Sequence, residues 1–289
     1  MDSKKSRGIG HILLAALFFA FMTFFVRISG DLPSMQKAFF RNFVAMLVAI
    51  GILLRTPEKF KIKKSSWPGL LMRSACGCAG LICNFWAIDR LRIADANMLN
   101  KLSPFFAIIF SYWVLKEKAN WKEWLAVIVA FIGALFVMKP SVSMEFIPAL
   151  VGALGGLGAG VAYTFVRLLG KQGERGPVIV FFFSTFSSLC ILPFFIAGFT
   201  PMTGKQWLYL ILSGVCAMGG QLNITAAYTY APAKEISVFD YAQILFAALL
   251  GFIFFDEVPD VYSLIGYVLI IGAAFYRWAM GRKEQTNGT

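Results

Sequence analysis

Charged residues are scarce in this chain: 15% of its 289 positions carry Asp, Glu, Lys or Arg, against about 25% in a soluble domain. That shortage excludes a water-soluble enzyme with an ordinary core. Histidine occurs once, at His11, so neither a histidine metal cluster nor a His-based catalytic triad can be assembled. A glycine-rich phosphate loop is missing as well, which removes ATP as an energy source. The chain is therefore expected to be no enzyme and to need no cofactor or metal. Its five cysteines, Cys76, Cys78, Cys83, Cys190 and Cys216, all fall in apolar runs, and Cys76-Gly77-Cys78 lacks metal-ligand spacing. They read as small packing residues. Long polar stretches are absent: if ten segments use about 20 residues each, the remainder averages about eight per loop or tail. No soluble domain fits.

What the chain has in quantity is apolar surface. Hydrophobic residues make up 58%, Phe alone supplies 30 positions, and mean hydropathy is +0.71. Runs near twenty residues long place it in a lipid bilayer. Hydropathy predicts ten helices, near 9–28, 34–54, 67–88, 93–115, 121–139, 147–169, 177–198, 205–228, 235–255 and 258–279. The amino-terminal run ends at Arg27 without a small-residue cleavage pattern and is read as a retained first helix. Trp67, Trp113, Trp121, Trp124, Trp207 and Trp278 sit near expected helix ends, as an interfacial belt requires. With the amino terminus inside, eighteen of the 27 Lys and Arg residues fall on the cytoplasmic side and six, Arg92 among them, on the other. That bias predicts both termini in the cytoplasm. It accounts for the net charge of +12 without nucleic acid.

The chain repeats itself at one ungapped offset of 140. Phe25-Val26-Arg27 returns as Phe165-Val166-Arg167, Trp67 meets Trp207, and Cys76 meets Cys216. Gly80 meets Gly220, Asp95 meets Glu235, and Glu117 meets Glu257. Residues 1–140 and 141–289 are thus read as two five-helix repeats. Five is odd, so the second copy is inverted in the membrane. The expected fold is all-α: ten transmembrane helices as two inverted five-helix repeats. In secondary transporters of this design the substrate site lies near the midplane, at the repeat interface. Two equivalent packings of the halves would then give alternating access.

The densest motifs run from Ala94-Asp95-Ala96 through Ser103-Pro104-Phe105-Phe106 to Trp113-Val114-Leu115-Lys116-Glu117-Lys118. In the second copy they run from Glu235-Ile236-Ser237 through Gln243 to Asp256-Glu257-Val258-Pro259. On these the chain resembles the ten-helix, EamA-type branch of the drug/metabolite transporter superfamily, over nearly its whole length. In that family an acidic residue commonly ends the fourth and ninth helices, here Glu117 and Glu257. The family's fourth-helix proline matches Pro104, whereas Ile244 stands at the corresponding place in the ninth. The resemblance implies a central cavity surrounded mostly by helices three, four, eight and nine, with one and six contributing. Cargo across the family ranges from amino acids and organic acids to nucleotide-linked sugars, purines and cationic compounds.

Ionisable side chains within a span are functional candidates by default. Lys101, Arg73 and Asp240 fall in expected cavity helices, and Arg41 in the more peripheral second helix. Lys101 and Asp240 enter from opposite faces, so a zwitterion bridging them is one reading and a structural pair another. Asn84, Asn97, Asn100 and Ser103, with Gln221, Asn223, Ser237 and Gln243, are candidates to read hydrogen-bonding groups on a solute. Trp86 and Tyr241 are aromatic candidates, as are Tyr163 and Tyr228. Each of these also has a plain interhelical role. Glu117 and Glu257 are read as gates or as caps of a neighbouring helix end, and Arg27 and Arg167 as reaching the headgroups. Gly152, Gly156 and Gly160 follow the small-xxx-small spacing of close helix packing.

Together these point to a multi-pass cell-membrane transporter, in a bacterial inner membrane, with a small-molecule substrate and the lipid bilayer as its partners. Intramembrane cations outnumber anions, which favours an amino acid or organic acid. The alternatives are an exporter of cationic amphipathic compounds using Asp240, or a channel. Coupling to a proton or to exchange stays open, as does oligomeric state.

Overall fold

The computed structural model describes residues 3–91, 93–141 and 143–286. Arg92, counted above, lies outside them, as do the side chains of Arg282 and Lys283. Among the described residues the regular elements are all helical, and ten helices are long and apolar enough to cross a membrane. They are α1 (Lys4–Ile28), α2 (Ser34–Leu54), α3 (Lys64–Ile88), α4 (Asp95–Leu115), α5 (Trp121–Met138), α6 (Phe146–Lys171), α7 (Gly176–Ala197), α8 (Gly204–Tyr230), α9 (Ala233–Phe255) and α10 (Val261–Met280).

Short joints force consecutive helices antiparallel, and side chains tie the loops together at each end. At the end carrying both termini, Lys63 donates its backbone N–H to Glu174 at 3.1 Å, and the Lys234 ammonium donates to the Lys118 carbonyl at 2.8 Å. At the opposite end Gln36 and the Thr200 backbone exchange two hydrogen bonds. Starts and stops recur at the 140 offset. Asn120 caps α5 through the Glu123 N–H, and Asp260 caps α10 through the Ser263 N–H. Lys116 ends α4 with φ of 60°, and Asp256 ends α9 with φ of 54°. Such left-handed caps satisfy the last carbonyls of a helix.

Two helices expected to be continuous are interrupted. α4 breaks after Asn100 and resumes at Ser103. Pro104 explains this break: it has no N–H, and its ring crowds the carbonyl four residues back, at Asn100. α9 has no proline there, yet it tightens into a 3₁₀ stretch over Ser237–Tyr241 before continuing as Ala242–Phe255. A 3₁₀ segment inside a helix commonly marks a hinge. Both interruptions lie where the repeats meet.

Glycines set how closely the repeats approach. In the α3–α6 crossing a Cβ on Gly80 would lie 2.8 Å from the Gly155 carbonyl, and one on Gly158 would lie 2.7 Å from Gly80 Cα. Gly156 and Gly160 face the break in α4, where a Cβ would strike the Leu99 carbonyl at 2.6 Å or the Phe106 side chain at 2.5 Å. Of the tryptophans, Trp67, Trp113, Trp121 and Trp207 are exposed near helix ends. Trp124 and Trp278 instead pack against the main apolar cluster.

Candidate functional site

A cavity of about 150 Å³ lies between the interrupted segments of α4 and α9. Lys101, Arg73, Asp240 and Arg41 all line it, as do Asn84, Asn97, Asn100 and Ser103. Gln221 and Gln243 reach it from the second repeat. Four other candidates are turned elsewhere. Trp86 lies under the Arg90 guanidinium, 3.8 Å from its ring centre. Asn223 bonds His11 Nδ1 at 2.8 Å. Ser237 pairs with the Tyr228 hydroxyl at 3.4 Å, and the Tyr241 hydroxyl donates to the Lys101 carbonyl at 3.0 Å. Trp86 and Asn223 each sit two residues beyond a lining residue, about 200° around a helix, and so face away.

Lys101 and Asp240 are not held apart for a ligand to bridge. Lys101 Nζ donates to Asp240 Oδ2 at 2.9 Å, to Gln243 Oε1 at 2.8 Å and to the Asp240 carbonyl at 3.3 Å. An ammonium has three donors, and all are engaged. The residue is 8% exposed. The pair ties the break in α4 to the 3₁₀ stretch of α9, joining one repeat to the other.

The two arginines differ. Arg73 is 2% exposed. It donates to Gln221 Oε1 at 3.0 Å and lies 3.9 Å from the Phe183 ring centre, with its Nε unbonded. Arg41 Nε also has no hydrogen-bond partner, nor has Asn84 Oδ1. Among the described residues neither arginine meets a carboxylate within ion-pair distance. Two guanidinium groups without a carboxylate partner thus face one cavity.

Thr23, Met22 and Phe183 also line the cavity and were not singled out by sequence. Thr23 sits in the run Phe21-Met22-Thr23-Phe24, where hydropathy hides it. Its correspondence to Tyr163 at the 140 offset was the available signal. α2, expected to be more peripheral, contributes Arg41, and α7, which was not among the expected cavity helices, contributes Phe183.

The lining residues of α1 and α4 come from the halves nearer the end opposite the termini. Toward the terminal end Tyr163 stacks on Tyr228 with ring centres 5.0 Å apart. Beyond them Glu117 binds Arg167 Nε at 3.2 Å and Lys171 Nζ at 2.6 Å. Arg167 also donates to the Tyr228 and Thr229 carbonyls at 3.3 and 2.8 Å. Glu117 thus reaches the last turn of α8 through an arginine rather than capping it directly. At the other end Arg27 pairs with Glu257 at 2.7 Å. Neither arginine reaches for headgroups alone; each holds a carboxylate.

Comparison with known proteins agrees with this architecture. The EamA-like transporter family model matches the chain twice, over residues 6–139 and 148–277. The pseudopaline exporter CntI of Pseudomonas aeruginosa is 33% identical over 276 residues, covering 94% of this chain and 96% of the relative. Human solute carrier family 35 member G1 is 25% identical, covering 96% and 81%. A riboflavin transporter of Brucella anthropi is 26% identical, covering 85% and 88%. One solved crystal structure superposes with a TM-score of 0.81 at 17% identity, covering 96% of this chain and 98% of the other, which shows the fold. These relatives are transporters, not enzymes. Ten spans, an inverted pair of repeats and a family match over both halves lead to one conclusion: the chain is a multi-pass membrane protein belonging to the EamA-like transporter family of the drug/metabolite transporter superfamily.

Proposed function

We propose that this transporter carries a small carboxylate-bearing metabolite, an amino acid or organic acid, by alternating access between halves 1–140 and 141–289. One observation carries the reading: Arg41 and Arg73 face the cavity without a carboxylate partner, while Lys101 already neutralises Asp240. A substrate carboxylate would complete both guanidinium groups, and the surrounding amides would receive its remaining polar groups. The small cavity suits a solute of that size. The occupied state of Asp240 weighs against a cationic amphipath as cargo. The Lys and Arg bias supports an orientation with both termini in the cytoplasm of a cell membrane. The similarity to an exporter makes outward movement the direction to test first.

The test is thermal unfolding of the purified protein against metabolites grouped by charge, followed by flux of the hits in proteoliposomes. A ligand of the folded state at ~100 times its dissociation constant adds about 2.7 kcal/mol. Acids should stabilise the parent. Arg73→Gln should weaken them by roughly 10- to 100-fold, the value of about 1.5–3 kcal/mol for a charged hydrogen bond. Stabilisation by cations alone, abolished in Asp240→Asn, would transfer the reading to a cation exporter. Flux that never saturates and shows no counterflow would make it a channel.

A further inference from the structure

The two Glu–Arg pairs occupy matched positions, since Glu117 and Arg167 correspond to Glu257 and Arg27 at the 140 offset. Both ion pairs are formed, so the pairing itself does not distinguish the ends. What differs is the second contact of each arginine. Arg167 binds the last carbonyls of α8, at Tyr228 and Thr229. The corresponding carbonyls for Arg27 belong to Ile88 and Asp89, at the end of α3. Arg27 makes no bond to them and instead lies over the Phe255 ring, 3.9 Å from its centre.

Three further differences agree. Arg167 and Glu117 side chains are both 13% exposed, whereas Arg27 and Glu257 are both 52% exposed. A Cβ on Gly170 would meet Thr229 Oγ1 at 2.7 Å and Thr229 Cα at 2.9 Å, so α6 and α8 touch at the terminal end. Its counterpart Gly30 meets only Gln206 Nε2, at 3.9 Å. Lys171 adds a second cation to Glu117, and its counterpart is Asp31. At the terminal end the arginine also holds the neighbouring helix; at the opposite end the same ion pair forms without that carbonyl contact.

We infer that Arg27 and Arg167 are positioning residues for transport: each stays on its helix-end glutamate and shuts its end of the cavity by capturing the carbonyls of the neighbouring helix, α3 for Arg27 and α8 for Arg167. In the alternate state Arg27 takes the Ile88 and Asp89 carbonyls while Arg167 releases those of Tyr228 and Thr229. Only one end is captured at a time, because the halves rock as the repeats exchange conformations. This rests on alternating access and not on the identity of the cargo.

Hydrogen–deuterium exchange of the purified full chain tests the exchange of ends without a ligand, and flux of an acid that stabilises the parent gives a second readout. Arg167→Ala is expected to raise uptake in peptides spanning 112–118 and 226–232 and to lower it in 84–91 and 254–260. That reciprocal fall is something a merely structural tie would not produce. Arg27→Ala is expected to keep protection at 226–232 and to lose at least 10-fold in net flux, while ligands still raise its unfolding temperature. Arg167→Lys keeps the charge on Glu117 without the forked donor and should shift exchange the same way by a smaller amount, which covers the case where the alanine variant fails to fold. Uptake rising at the terminal end with no fall at 84–91 and 254–260 would overturn the inference, as would wild-type flux in Arg27→Ala. Failure of every acid to bind would sink the carboxylate reading alone and leave these exchange results standing.

Discussion

The α3–α6 and α1–α8 crossings occupy equivalent places in the two repeats, yet they are built differently. In the first, Gly80 lies against the backbone of Gly155 and Gly158; in the second, Gly220 receives the ring of Phe19, which a Cβ would approach to 2.5 Å. One crossing is helix against helix, the other helix against aromatic side chain. The offset explains why: Phe19 stands where the first crossing has Ala159, whose backbone N would lie 3.0 Å from a Cβ on Gly80. Duplication preserved the scaffold, with its breaks, caps and helix order, while side chains in contact diverged. The polar chemistry of the cavity diverged too. The first repeat supplies Arg41, Arg73 and Lys101, and the second supplies Asp240 with Gln221 and Gln243.

Matched positions carrying different chemistry should respond most unequally. Lys101 and Tyr241 correspond at the offset, and the largest effect is expected at Lys101→Ala. It strands Asp240 in a buried site, and removing one partner of a buried pair typically costs about 3–5 kcal/mol. Tyr241→Phe loses one hydrogen bond to the Lys101 carbonyl, about 1 kcal/mol. Equal losses of unfolding temperature in detergent would show that the pair does not join the halves.

The glycines come next. Gly80→Ala drives a methyl into backbone that cannot yield locally, so overpacking should cost about 1–3 kcal/mol. Gly220→Ala meets a ring that can shift, and its loss should be the smaller. Thermal melts of the two variants side by side decide this. A reversed order would mean that the α1–α8 crossing is the rigid one.

The smallest effects belong to the matched caps. Asn120→Ala should cost roughly 1 kcal/mol through the lost cap of α5. Asp260 differs from Asn120 in carrying a charge. Its hydrogen bond from Lys139, helped by the Ser263 N–H and hydroxyl, holds its carboxyl down at about 2. A folded-state value below the unfolded value of about 3.9 contributes stability above that pH and loses it as pH falls through 2. The melting difference between the parent and Asp260→Asn should therefore shrink between pH 4 and pH 2, while that of Asn120→Ala should show no such titration.

Much of the molecule was legible before any coordinates. Glu117 and Glu257 could be matched by counting; the break in α4 was not foreseen, although Pro104, whose missing N–H is a local property, was a signal available for it. The break in α9 was not legible: Ile244 gives no warning, and the 3₁₀ stretch over Ser237–Tyr241 arises where Asp240 and Tyr241 meet Lys101. The amides of α8 were equally opaque, since Gln221 faces the cavity while Asn223, two residues on, bonds His11. Spacing alone does not say which of two neighbouring amides faces inward.

Composition over twenty-residue windows determined the spans, and one ungapped offset with an odd helix count determined the inverted repeat. Both are sums over many residues and tolerate error at any one of them. Only the tertiary structure decided that Lys101 is satisfied by Asp240, that Arg41 and Arg73 are left facing the cavity, and that Arg167 bonds the last carbonyls of α8 while Arg27 lies over Phe255. Those outcomes depend on helix rotation and on contacts between residues as much as 148 positions apart. A turn of about 100° per residue exchanges a substrate-facing side chain for a packed one without changing the hydropathy pattern at all.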